Sequence, residues 1–195
     1  MTTQKFDSFN EYINQISAVT DKINKNQIEL LEKEVWTRFL NKKKIFLCGN
    51  GGSAANALHL ANDFLYGISK KSFYGIDVEA LSSNISVLTC LANDLDYQSI
   101  FSEQLKIKSK KGDLLIVLSG SGNSPNIIEA LKTANSIGIK TVSIVGFTGG
   151  IAKEISDLVI HTPVNDMQIS EDIQTMILHY IVKKCSYRFE KLKNE

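Results

Sequence analysis

Proline is scarce in this 195-residue chain, with two residues, and no serine- or glycine-rich linker or low-complexity tract interrupts it. No internal repeat is visible, so nothing marks a domain boundary. With 43% apolar residues, the length suits one domain over residues 1–195 with a core of its own. Excess charge is also missing. Twenty-two basic and 21 acidic residues leave a net charge of +1 with mixed signs, which argues against a basic nucleic-acid-binding stripe. No apolar run reaches membrane-spanning length, and the opening "MTTQKFDSFNEYINQI" lacks a basic-then-apolar leader pattern. Three scattered cysteines, Cys48, Cys90 and Cys185, without a C-x-x-C pair, are expected as reduced thiols in the cytoplasm. Cys48 and Cys90 sit in apolar runs and are expected to be small buried hydrophobes.

What is present is a change of texture near residue 42. Before it, Phe6, Phe9, Tyr12, Ile13 and Ile16 form one helical stripe with Ser8 as a cap. Ile28, Leu31, Val35 and Phe39 form a second. After it, five short apolar or β-branched runs (44–48, 77–81, 114–119, 140–146 and 158–162) alternate with helical patterns at 51–66, 84–93, 98–109, 124–137 and 150–156. A long helix over 170–192 closes the chain. Apolar strands separated by helices predict an α/β protein with a parallel sheet covered on both faces. The leading hairpin (1–41) falls outside that alternation and is expected to bury its stripe against another subunit, leaving 42–195 as the α/β core.

Ligands of such sheets bind beyond the carboxyl ends of the strands. Two loops there are rich in glycine and serine. Asn50, Gly51, Gly52 and Ser53 join the first strand to a helix, without the spacing of a P-loop or of G-x-G-x-x-G. Ser119, Gly120, Ser121, Gly122, Asn123 and Ser124 follow the third strand. Ser124 can be a helix N-cap, but one helix needs one cap, which leaves Ser119 and Ser121 over. Backbone amides, hydroxyls and a helix N-terminus together suit a phosphate.

His59 and Asp63 lie four apart on the first of these helices and so share a face, either as a surface pair or as a site. Glu171 and His179 lie on the last helix with Cα atoms about 12 Å apart, converging only if the side chains lean together. Two imidazoles and two carboxylates suit a zinc shell or an acid/base set that moves a proton between carbons. "LANDLDY" (91–97) offers Asn93, Asp94 and Asp96, either as turn residues or as partners for sugar hydroxyls. His161, inside an apolar strand, reads as structural.

In order and spacing, "CGNGGSAANALHLANDFL", "LANDLDY" and "LSGSGNSPNIIEAL" resemble the sugar isomerase (SIS) domain, and more narrowly the phosphoheptose isomerases. The resemblance implies a three-layer α/β/α sandwich with a five-stranded parallel sheet. It also implies a homotetramer with active sites at subunit interfaces. The reaction it implies turns D-sedoheptulose 7-phosphate into D-glycero-D-manno-heptose 7-phosphate through an enediol(ate), for lipopolysaccharide or capsule precursors. In its terms Ser119, Gly120, Ser121 and Ser124 hold the phosphate, and Asn50, Gly51, Gly52, Ser53, Asn93 and Asp94 the sugar. Asp63 and His179 then move the proton, with Glu171 as the alternate base. Some members bind Zn²⁺ at the positions of His59, Asp63, Glu171 and His179; no nucleotide cofactor is implied. This chain departs in carrying Asp63 for a glutamate, Glu171 for a glutamine and Gly120 for a threonine. The alternatives are an isomerase of another phosphosugar, or a non-catalytic SIS adaptor that binds a protein.

Overall fold

The computed structural model describes residues 7–68 and 74–193. Phe6, the first residue of the N-terminal stripe, lies outside them. The chain opens with α1 (Phe9–Lys22) and α2 (Lys25–Leu40), then runs β1 (Ile45–Gly49), α3 (Gly51–Asn62), β2 (Val78–Ala80) and α4 (Ile85–Asp94). It continues through α5 (Ser102–Lys108), β3 (Leu114–Ser119), α6 (Pro125–Ser136), β4 (Lys140–Val145), α7 (Gly150–Ile155), β5 (Leu158–His161) and α8 (Met167–Lys193). Caps start the helices where short polar side chains stand. Ser8 Oγ accepts from Glu11 N, Asn24 from Asn26 N, and Asn84 from Ser86 N and Val87 N.

The sheet is parallel throughout, in the order β2-β1-β3-β4-β5. Leu47 pairs with Ile116, Ile116 with Val142, and Val142 with Leu158, all buried apolar residues. Alternation along the strands divides the interior in two. Ile45, Leu47, Leu114, Ile116 and Ile144 face one core with α1, α2, α3 and α8. Phe46, Cys48, Leu115, Val117 and Val145 face the other with α5, α6 and α7. This is the expected three-layer sandwich. After β1 the chain leaves to one side of the sheet and after β3 to the other, so the crevice between these two strands is the switch point where such sheets bind ligands.

Two expectations change. The α2 stripe is core of its own chain: Leu31 and Val35 are fully buried, and Ile28 and Phe39 pack against the same cluster, because α2 lies on α8 and β5. Only part of the α1 stripe faces outward, at Phe9 and Ile13. Cys90 is exposed rather than buried, since α4 contains no buried residue even though its sequence is apolar. Cys48 and Cys185 are buried. Burial pushes the Cys48 thiol well above its ordinary value, and burial beside Glu32 pushes that of Cys185 up to about 12.

Candidate active site

The two glycine-serine loops meet across the switch point. Asn50 and Asn126 exchange a reciprocal pair of amide hydrogen bonds, 2.9 and 2.8 Å, and Tyr97 OH donates to Asn50 Oδ1 at 3.1 Å. Asn50 therefore stands at the N-cap of α3 without making a side-chain cap bond. Asn126 is 1% exposed. A buried amide whose Nδ2 and Oδ1 both bond to one partner fixes the spacing of the two loops. The sequence reading missed Asn126 and Tyr97; an asparagine in the first turn after Ser-Pro was the available sign.

In the second loop, Ser119 Oγ accepts from Gly122 N (3.0 Å) and Ser121 Oγ from Asn123 N (3.2 Å). Each hydroxyl keeps its proton to donate outward. Ser124 occupies the N-cap of α6 but makes no side-chain cap bond. Gly122 turns at φ +65°, with the Gly149 carbonyl where a side chain would start, so only glycine fits. At Gly120 the space a threonine would need is filled by the Met167 thioether at the start of α8.

α3 and α8 run side by side in one direction from this end of the sheet. The Glu171 carboxylate rests on Gly52, and Ser53 Oγ donates to Glu171 Oε1 at 3.3 Å. Asn56 Nδ2 donates to the Glu171 carbonyl (2.9 Å) and to Gln174 Oε1 (3.4 Å). Farther along, His59 Nε2 and His179 Nε2 stand 2.9 Å apart, with Asp63 Oδ2 3.7 Å from the first and 3.3 Å from the second. Their ligand atoms all lie within 4.8 Å of one another. At Asp63 the α-helix widens into a π-turn, Asp63–Gly67, a feature frequent at functional positions.

Three of the four expected metal-binding residues thus converge and Glu171 does not. Eight residues along a helix bring Glu171 and His179 to different azimuths, and the glutamate is taken up by the first loop. The three separations scatter about the roughly 3.3 Å edge of a tetrahedron with ~2.05 Å bonds, and two imidazoles with a carboxylate match the donors zinc takes. The trio fits such an ion.

Asn93 and Asp94 end α4 in an exposed position. Asn93 Nδ2 donates to Asp94 Oδ1 (2.9 Å) and Cys90 Sγ to Asp94 Oδ2 (3.3 Å). These bonds hold the Asp94 carboxyl below its ordinary value, and the carboxylate raises the Cys90 thiol in turn. Tyr97, one turn onward, makes the link to the first loop instead. His161 is tied by Nε2 to the Phe147 carbonyl at 2.9 Å, away from the trio.

The SIS domain pattern matches residues 9–146. The chain belongs to the SIS-domain family. A phosphoheptose isomerase of Aliarcobacter butzleri is 42% identical over 141 residues, 72% of this chain and 74% of that protein. One from Helicobacter pylori is 38% identical over 154 residues, 79% of each. Among solved structures, phosphoheptose isomerase GmhA from Neisseria gonorrhoeae superposes with a TM-score of 0.83 at 25% identity, covering 92% of this chain and 96% of that one. Within the SIS family, the chain sits in the phosphoheptose isomerase branch.

Proposed function

We propose that the protein is an aldose–ketose isomerase that converts D-sedoheptulose 7-phosphate to D-glycero-D-manno-heptose 7-phosphate, feeding heptose precursors of lipopolysaccharide or capsule. The observation that carries this reading is the meeting of His59, Asp63 and His179 from two helices that both start beside the serine loop. The reaction moves one proton from C1 of the ketose to C2 through an enediol(ate) while the hydroxyl and carbonyl oxygens exchange a proton. It needs a base, an acid and a fixed substrate.

In this reading the hydroxyls of Ser119, Ser121 and Ser124, with the backbone of Gly120, grip the phosphate. That remote grip positions the reacting end. Asn50, Gly51, Gly52 and Ser53 contact sugar hydroxyls, joined by Asn93 and Asp94. Asp63 and His179, 3.3 Å apart, pass the proton between carbon and oxygen. Glu171, placed on the first loop, serves a hydroxyl of the sugar rather than acting as the base. His59, Asp63 and His179 would hold a Zn²⁺ ion, which when bound supplies polarisation of the two oxygens. C1 is oxidised as C2 is reduced within the one molecule, so there is no net redox change and no nucleotide is required.

The reading also takes the protein as a homotetramer whose sites lie at subunit interfaces, in the cytoplasm, where thiols stay reduced. Two features support the assembly. The imidazoles of His59 and His179 are half-exposed, and α4 presents Ile85 with no residue buried. The test is incubation with sedoheptulose 7-phosphate, with and without chelator, following aldose formation by NMR. Turnover is expected. Turnover of a shorter phosphosugar alone moves the substrate, and failure with every phosphosugar favours the adaptor.

A further inference from the structure

A cavity of about 280 Å³, floored by Val159 and Ile160, lies where α1 turns into α2. Lys22, Asn24 and Gln27 close one side, and Lys153, His161 and Pro163 the other; no acidic residue lines it. His161 Nε2 faces the Phe147 carbonyl oxygen at 2.9 Å, so that nitrogen carries the ring proton and Nδ1 is left as an acceptor. Lys153 folds its stem over Gly149 and brings its ammonium to 3.4 Å from Nδ1. Among the described residues, neither Lys22 nor Lys153 forms an ion pair with a carboxylate.

Two ammonium groups without counter-charges and two side-chain amides around one concavity make a site of positive potential. We propose that this cavity binds a phosphate group, as inorganic phosphate or as the end of a small phosphate ester. At about 280 Å³ the cavity has room for a phosphate and for the first atoms of an ester. The cavity shares no residue with the serine loop but adjoins it through α7. Ala152 N donates to the Gly122 carbonyl and Ile151 N to Asn123 Oδ1, both at 3.0 Å.

The test titrates inorganic phosphate by calorimetry into a Ser121→Ala/Ser124→Ala protein, in which the loop is disabled. Phosphate binding is expected to persist there. Adding Lys22→Ala/Lys153→Ala is expected to weaken it tenfold or more, and Lys22→Arg/Lys153→Arg to retain it. Both lysines are exposed, so the substitutions leave the fold intact. Binding absent from the loop-disabled protein, or indifferent to the lysine-to-alanine changes, overturns the proposal. Competition with sedoheptulose 7-phosphate separates the sources: tighter binding of the ester makes it the occupant, weaker binding makes it inorganic phosphate. Turnover is not read, so a failure of the isomerase reading leaves this result standing.

Discussion

The Nε2 atoms of His59 and His179 stand 2.9 Å apart, with the rings edge to face and centroids 5.0 Å apart. At that distance only one of the two nitrogens can hold a proton, or both must turn their lone pairs to a shared cation. Asp63 Oδ2, within 3.7 Å of each, adds the carboxylate oxygen that a shared cation would take as a third donor.

The consequence is measurable in turnover. Asp63→Asn and His179→Ala should each lower kcat by about 10²-fold or more, the scale of a positioned acid or base. Both side chains are partly exposed, so circular dichroism and the oligomeric state should stay as in the parent protein. Near-normal kcat in both variants would remove the proton-transfer role.

Ser124 separates capping from ligand binding. An ordinary serine cap loses about 1 kcal/mol on change to alanine. Here the hydroxyl makes no cap bond, so Ser124→Ala should shift the urea midpoint by less than about 0.5 kcal/mol in stability. KM for the phosphosugar should rise roughly tenfold through loss of a hydrogen bond to a charged group. A full cap penalty with unchanged KM would assign the residue to the helix alone.

The fold was legible because the strands are almost wholly apolar, and burial of β3 from end to end matches the uninterrupted run at 114–119. The three-residue β2 was legible only as a longer run, since its flanks leave the sheet. The π-turn at Asp63 was not legible: Ala57, Leu60 and Phe64 keep a helical spacing across it. Cys90 misled because apolar periodicity predicts an apolar face but not what covers it. Glu171 misled because a set of ligand types ignores azimuth along the helix. Asn126 went unseen because its partner, Asn50, is 76 residues away.

That distant pair gives a further expectation. Asn126→Ala removes a buried partner and strands the Asn50 amide between Tyr97 and the empty position. The loss should be about 1–3 kcal/mol by urea unfolding. KM should rise as well, because nothing then sets the distance between the loops. Stability loss with unchanged KM would reduce the pair to a structural tie.

On β2, Glu79 gives the acid side of the stability curve. Its carboxylate is pulled two ways. Partial burial opposes ionisation, while Lys108 at 2.6 Å and Lys44 at 3.3 Å favour it and together win, so its folded pKa lies below the ordinary value. A lowered folded pKa means the ion pairs stabilise the fold above the unfolded pKa of about 4.3, and that stabilisation fades as pH falls through the folded value. With its side chain 26% exposed, the group is partly screened, so Glu79→Gln should cost about 0.5–1 kcal/mol at pH 7. Urea midpoints of the two proteins should converge as the buffer is taken well below pH 4. A difference that stays constant across that range would place the effect in packing rather than in charge.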